Sequence, residues 1–173
     1  MLRSQPNTLS GFLIHFLMRN DPTRLAELRR HLILDSSPDR AFDDITRLLA
    51  RSLDVPIAMV NLLDDGRDWF KSCVGLPQRE SPAETSFCEA FFHSADDLIV
   101  AEDTMLDARF SAHPLVVNAP FVRFYAAARL AVGGHTLGTL CAYDLKPREV
   151  SRQQVEHVRA LAAAVVELLN QGR

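Results

Sequence analysis

The chain has 173 residues, 47% hydrophobic and 24% charged, with a formal net charge of −3. That is the length of a single domain, with enough apolar residues for a core that needs neither disulfide nor metal. The mildly acidic balance excludes the strong basic excess of a nucleic-acid binder, and no apolar run approaches the length of a membrane span.

Three cysteines, Cys73, Cys88 and Cys141, form no CxxC pair. An odd, scattered set excludes a paired disulfide framework and a clustered zinc site, and reads as reduced thiols in a cytoplasmic protein. Arg3 and the apolar stretch 11–18 have the outline of a signal peptide. However, Asn20, Asp21 and Pro22 follow, with no small-residue cleavage site. Residues 1–20 are therefore read as an N-terminal extension and residues 21–170 as the domain.

In chain order, Asp21-Pro22 opens a helix with Asp as N-cap and Pro at its first position, and Leu25, Leu28 and Leu32 form its apolar stripe. Asp35-Ser36-Ser37-Pro38 ends it. The next helix takes Ser37 as N-cap and Asp39 in its first turn, with Phe42, Ile45, Leu48 and Leu49 facing the core. Val55-Pro56 stops that helix. Ile57–Leu63 is a short apolar run that reads as a central strand. Asp64-Asp65-Gly66 turns the chain into a returning strand at 68–74. A polar, proline-bearing loop covers 75–85, a short helix 86–93, a third strand Leu98–Ala101, and an irregular stretch 107–117 broken by Pro114. Phe124–Val132 and 136–143 flank Gly133-Gly134-His135 as a second hairpin. The last helix starts at Ser151 with Gln154 three residues on, a capping box, and runs to about Leu169. Val155, Val158, Ala162, Val165 and Leu169 recur in three- and four-residue steps, a seam suited to another helix or to a second subunit. Two hairpins between helices predict an antiparallel α+β fold. Helices from both termini cover one face, and the irregular middle of the chain roofs the other, where a small-molecule pocket is expected.

These residues resemble a GAF domain over roughly 23–170. The resemblance rests on Phe42-Asp43, Val55-Pro56-Ile57-Ala58-Met59-Val60, Trp69-Phe70-Lys71-Ser72, Ser86-Phe87-Cys88 and Asp107-Ala108-Arg109-Phe110. Its strongest part is Phe124-Tyr125-Ala126 followed by Gly138-Thr139-Leu140-Cys141, with Asp144 and Pro147-Arg148 closing the pattern. It implies an α/β (α+β) GAF-like antiparallel sheet of about six strands. It also implies a regulatory module in signal transduction, sensing a small molecule or a partner. That module would be a homodimer through its terminal helices, serving a separate kinase or cyclase output protein, with no nucleic acid and no membrane. The implied pocket draws on Phe87 and Cys88 from the roof helix, Asp103, Arg109 and Phe110 from the covering loop, and Phe124, Tyr125, Cys141 and Asp144 from the hairpin. No cofactor is called for.

Several subtypes are set aside. The Asn-Lys…Phe…Asp-Glu signature of cyclic-nucleotide-binding members is absent, since Phe110 is followed by Ser111-Ala112. Bilin attachment places His directly after its Cys, whereas Glu89 follows Cys88. Haem would need His93 or His113 facing a cavity. The enzymatic alternative is a thiol-dependent free methionine sulfoxide reductase, which needs a low-pKa cysteine beside a resolving one. Catalytic sulfurs crowded together under the roof would overturn the sensor reading, though Cys141 reads as a structural strand residue. Arg109 is weighed as an anion clamp at the pocket mouth against a partner of Asp103 or Asp144 that pins the loop. Of Phe124 and Tyr125, adjacent on a strand, one faces the core and the other the pocket. Where the family runs Ala-Gly-x-Pro-Leu, this chain has Ala127 and Arg129, and an inward methyl there shrinks the cavity.

Overall fold

A computed structural model describes residues 18–172. Asp21 caps α1 (Pro22–Arg30), its carboxylate accepting from Thr23 and Arg24 N–H, as the sequence predicts. The helix stops two residues short of the last expected stripe position. Leu32 lies outside it, in a left-handed conformation and 82% exposed. The N-cap of α2 (Arg40–Leu53) is Asp39, which accepts from Ala41 N–H, rather than Ser37. Along α2, Phe42, Ile45 and Leu49 are buried, while Leu48 is half exposed.

The six strands are β1 (Ile57–Leu63), β2 (Arg67–Val74), β3 (Glu80–Pro82), β4 (Leu98–Ala101), β5 (Phe124–Val132) and β6 (His135–Asp144). They form one sheet in the order β3-β2-β1-β6-β5-β4 with every neighbouring pair antiparallel. Strand β3 and a 3-10 turn at Ala83–Thr85 lie within the segment expected to be all loop. Gly133 and Gly134 take the positive φ that the β5–β6 turn demands. Pro114 opens α3 (Pro114–Val117) instead of breaking it, because a helix's first residue needs no N–H. The capping box at Ser151 and Gln154 is formed on both sides, and α4 (Arg152–Gln171) follows.

Alternation along the strands divides the interior into two cores. On the helix side, Phe124, Ala126, Ala128 and Leu130 of β5 meet Leu28, Phe42, Leu49, Val158, Val165 and Leu169. The α4 seam is thus spent on the protein's own sheet and on α2, with Val155 only half buried. α4 packs chiefly on α2, and the C-terminal end of α1 reaches it through His31, whose Nδ1 lies 2.8 Å from the Leu169 carbonyl. Each fully buried leucine or valine contributes roughly 1.5–3 kcal/mol of transfer free energy. On the other side, Tyr125, Ala127 and Cys141 meet the roof residues Phe87, Phe91, Phe110 and Val116. No helix among the described residues is long and apolar enough to cross a membrane.

Candidate functional site

Three consecutive strand features build the floor under the roof. Asn61 is a polar residue within the apolar run of β1. Thr139 and Cys141 lie on β6, and Tyr125 on β5. The 3-10 helix Phe87–Phe92 brings Cys88 down onto them. Cys88 Sγ lies 3.0 Å from Thr139 Oγ1 and 3.2 Å from Tyr125 Oη, and it accepts from Asn61 Nδ2 at 3.4 Å. Asp68 anchors the other end. Its Oδ2 accepts from Asn61 Nδ2 at 2.8 Å and from the Ser86 hydroxyl at 2.5 Å, and its Oδ1 takes Arg19 at 2.5 Å. Asn61 Oδ1 is buried and, among the described residues, finds no donor.

The thiols of Cys88 and Cys141 are neighbours and both fully buried. Burial raises the pKa of each. At Cys88 it is outweighed by Cys141, Thr139 and Tyr125, so this thiol lies below its ordinary range despite the opposing charge of Asp68. Burial and the Cys88 neighbour hold Cys141 well above it. Tyr125 and Tyr143 are pushed up by the same burial and the same sulfurs. Cys88 is therefore the thiol of the pair that ionises first. Cys141 is buried within β6, as the sequence suggests, and its thiol neighbours that of Cys88 under the roof.

Aromatic rings fill the space around this polar core. Phe87 packs against Phe110, Tyr125 and Tyr143 with centroids 5.2, 5.2 and 5.5 Å apart, and against the His113 ring at 4.1 Å. The Ala127 methyl does point inward, and its residue is fully buried.

Arginines tie the roof down. Arg129, on the Tyr125 face of β5, donates to the carbonyls of Ser94 and Asp96 at 2.7 and 2.8 Å and lies over the Phe91 ring at 5.2 Å. Arg24 reaches the Leu63 carbonyl at 2.6 Å and lies over Phe92; burial, aided by the neighbouring Arg19, lowers its pKa to about 10. Arg19 bridges Asp68 and Glu89, each at 2.5 Å, and donates to the carbonyls of Asp64 and Arg67. It belongs to the stretch that sequence reading set before the domain, yet it is only 4% exposed.

Of the nine residues expected to line the pocket, Phe87, Cys88, Phe110, Tyr125 and Cys141 come together here. Phe124 does not. It faces the helix side, because neighbours on a strand point to opposite faces. Asp103 pairs with Arg123 at 3.0 Å at the end of the sheet, and Asp144 accepts from Leu145 N–H and from Arg148. Arg109 pairs with neither. It folds back on Asp107 at 2.6 Å and pins the loop through the Val100 carbonyl at 3.3 Å. As site residues, sequence reading missed Arg19, Asn61, Asp68, Ser86 and Thr139. Ser86 and Thr139 stood within motifs of the resemblance, and Asn61 was visible as a polar residue in an apolar strand.

His113 accepts the Leu115 N–H at Nδ1, which caps α3, and burial lowers its pKa. A base depressed in the fold binds protons more readily unfolded. Stability should thus begin to fall below pH about 6.5 and stop falling once pH passes the folded value. Denaturant melts across that window should show the slope in the native chain and a weaker one in His113→Gln.

Residues 37–168 match the family model of the GAF domain, and the chain belongs to the GAF domain family. It is 34% identical over 142 residues to a cyclic di-GMP phosphodiesterase of Pseudomonas aeruginosa, covering 79% of this chain and 24% of that protein. The chain thus spans about a quarter of its curated relative's length. Among solved structures, the GAF domain of an Acinetobacter phosphoenolpyruvate-protein phosphotransferase superposes with a TM-score of 0.61 at 16% identity, covering 86% of this chain and 94% of that one. A type II free methionine-R-sulfoxide reductase from Thermoplasma acidophilum gives a TM-score of 0.59 at 13% identity, over 76% and 94%. At such identities the two structures speak for the fold alone.

Proposed function

We propose that the chain is a non-enzymatic, cytoplasmic GAF module of a signalling system. Its roof-side interior senses a small molecule, and its state is passed to a partner protein or along a homodimer. The observation that carries this reading is the buried polar centre around Asn61. Its unsatisfied Oδ1 is an acceptor for a ligand N–H or O–H, beneath a roof fastened by Arg129, Arg24 and Arg19. A roof held by a few polar ties over a filled interior has a closed state that a ligand can compete with. Resemblance to a segment of a signalling enzyme supports the regulatory role. A dimer through the terminal helices would use the half-buried Leu161, Val166 and Leu168 of α4, since the seam itself is occupied.

The Cys88–Cys141 contact favours a second reading, a thiol enzyme that reduces free methionine sulfoxide. The two thiols would become a disulfide as the sulfoxide becomes a thioether and its oxygen leaves as water. Against it, neither sulfur is accessible, so substrate would reach them only after the roof opened.

Two measurements on the chain separate the readings. A thermal-shift screen of nucleotides, cyclic di-GMP included, and of small metabolites should find a stabilising compound. At 100 times its dissociation constant it adds about 2.7 kcal/mol. Thioredoxin-coupled turnover of methionine sulfoxide should be nil. Turnover that disappears in Cys88→Ser would overturn the sensor reading in favour of the enzyme.

A further inference from the structure

A second site lies at the β2–β3 edge of the sheet, where Phe70, Cys73 and Leu76 border the roof-side core. The register between β1 and β2 slips at Val60/Asn61, which face Ser72 and Phe70, so Lys71 has no partner and β2 bulges there. Strand β3 covers only residues 67–69 of β2, and the last backbone link is Phe70 N–H to the Arg79 carbonyl at 2.8 Å. Beyond it the chain stands off from β2. The cleft between them, about 290 Å³, is walled by β2 on one side, residues 76–79 on another and the start of α2 on a third.

Its lining is cationic. Arg47, Lys71 and Arg79 line it with the carboxylate of Asp43, whose Oδ1 accepts from the Ser72 hydroxyl at 2.6 Å; Arg47 is already paired with Asp44 at 2.7 Å, so Lys71 and Arg79 carry the surplus charge. Lys71 is 94% buried by its 6% exposure, and its ammonium donates only to neutral oxygens, Ser36 Oγ at 2.8 Å and the Ser37 carbonyl at 2.6 Å. Among the described residues no carboxylate lies within ion-pair distance of Lys71 or of Arg79. The ammonium also lies over the Phe42 ring at 5.4 Å, and Asp39 and Asp43 attract it from beyond ion-pair distance, yet burial still holds its pKa below the usual lysine value. An anion that joined it would offset that cost.

We propose that this cleft binds a small organic anion bearing a carboxylate or phosphate group. Lys71 forms the buried floor contact, and Arg79 closes over the anion with its planar donor fork. The volume suits a small metabolite. This site is independent of whether the roof side takes a ligand.

Cys73 lines the same cleft and is half-buried, whereas Cys88 and Cys141 are fully buried. It therefore reports on the site in the unmodified chain. Alkylation of Cys73 by iodoacetamide is followed by mass spectrometry with citrate in one arm and inorganic pyrophosphate in another, chloride-matched for ionic strength. One of them should slow Cys73 about tenfold at ten times its dissociation constant, and the arm that responds names the headgroup. Arg79→Glu, at an exposed position, should keep the native melting temperature and lose the protection. Titration calorimetry with the same two anions reads the binding directly should alkylation be too slow to follow. Neither anion binding, or equal protection in Arg79→Glu, overturns the proposal.

Discussion

Replacing Asp68 with Ala should remove about 3–5 kcal/mol of stability, a third or more of what a domain of this size holds. Asp68 is 3% exposed and Arg19 4%. The substitution leaves the Arg19 guanidinium buried beside two carbonyls with only Glu89 for charge. It also strips Ser86 and Asn61 of their shared acceptor. Burial lowers the pKa of Arg19, but Asp68 and Glu89 more than reverse this, so the guanidinium stays charged and its isolation cannot be relieved by losing a proton. Urea melts of Asp68→Ala and of the double variant Arg19→Met/Asp68→Leu measure the effect. The double should recover much of the loss, because a buried pair replaced by apolar groups of similar size costs little. A loss under about 1 kcal/mol in the single variant would mean that the pair is solvated in solution.

Gly138→Ala should cost about 3 kcal/mol, at the upper end for overpacking. A Cβ built there would sit 2.1 Å from the Asn61 carbonyl oxygen and 3.1 Å from Leu62 Cα. The obstacle is the backbone of β1, paired with β6 at Leu62 and Gly138, so no side chain can swing aside. Relief requires the two central strands to part beside Asn61, which holds both Asp68 and Cys88. Thermal melts should record the lost stability, and thiol titration a faster reaction of Cys88. Native stability with unchanged thiol reactivity would contradict so close an approach.

Much of the architecture was legible because it is local. Asp21-Pro22 and Ser151 with Gln154 announce helix starts, since caps satisfy N–H groups within three residues. Gly133-Gly134 announces a hairpin, since its turn needs positive φ. Where two local signals competed, a shift of a residue or two moved the result. Asp39 caps α2 in place of Ser37, and Pro114 starts a turn it was expected to break. Leu32 and Leu48 fitted an apolar spacing yet lie in solvent, because periodicity does not say where a helix stops or how wide its covered stripe is.

By itself, the sequence determined the family, the antiparallel hairpins, the capped helices and the opposition of Phe124 to Tyr125. Each is written in spacings of a few residues. The tertiary structure alone decided that Arg109 keeps to Asp107 while Arg123 takes Asp103, and that Cys88 and Cys141 become neighbours. It also decided that Arg19 belongs to the core of the site and that β2 bulges at Lys71 to open a cationic cleft. Apart from Arg109 and Asp107, those partners lie twenty or more residues apart. Which charge meets which is set by strand register and by how the roof closes over the sheet, and neither leaves a mark in the order of the residues.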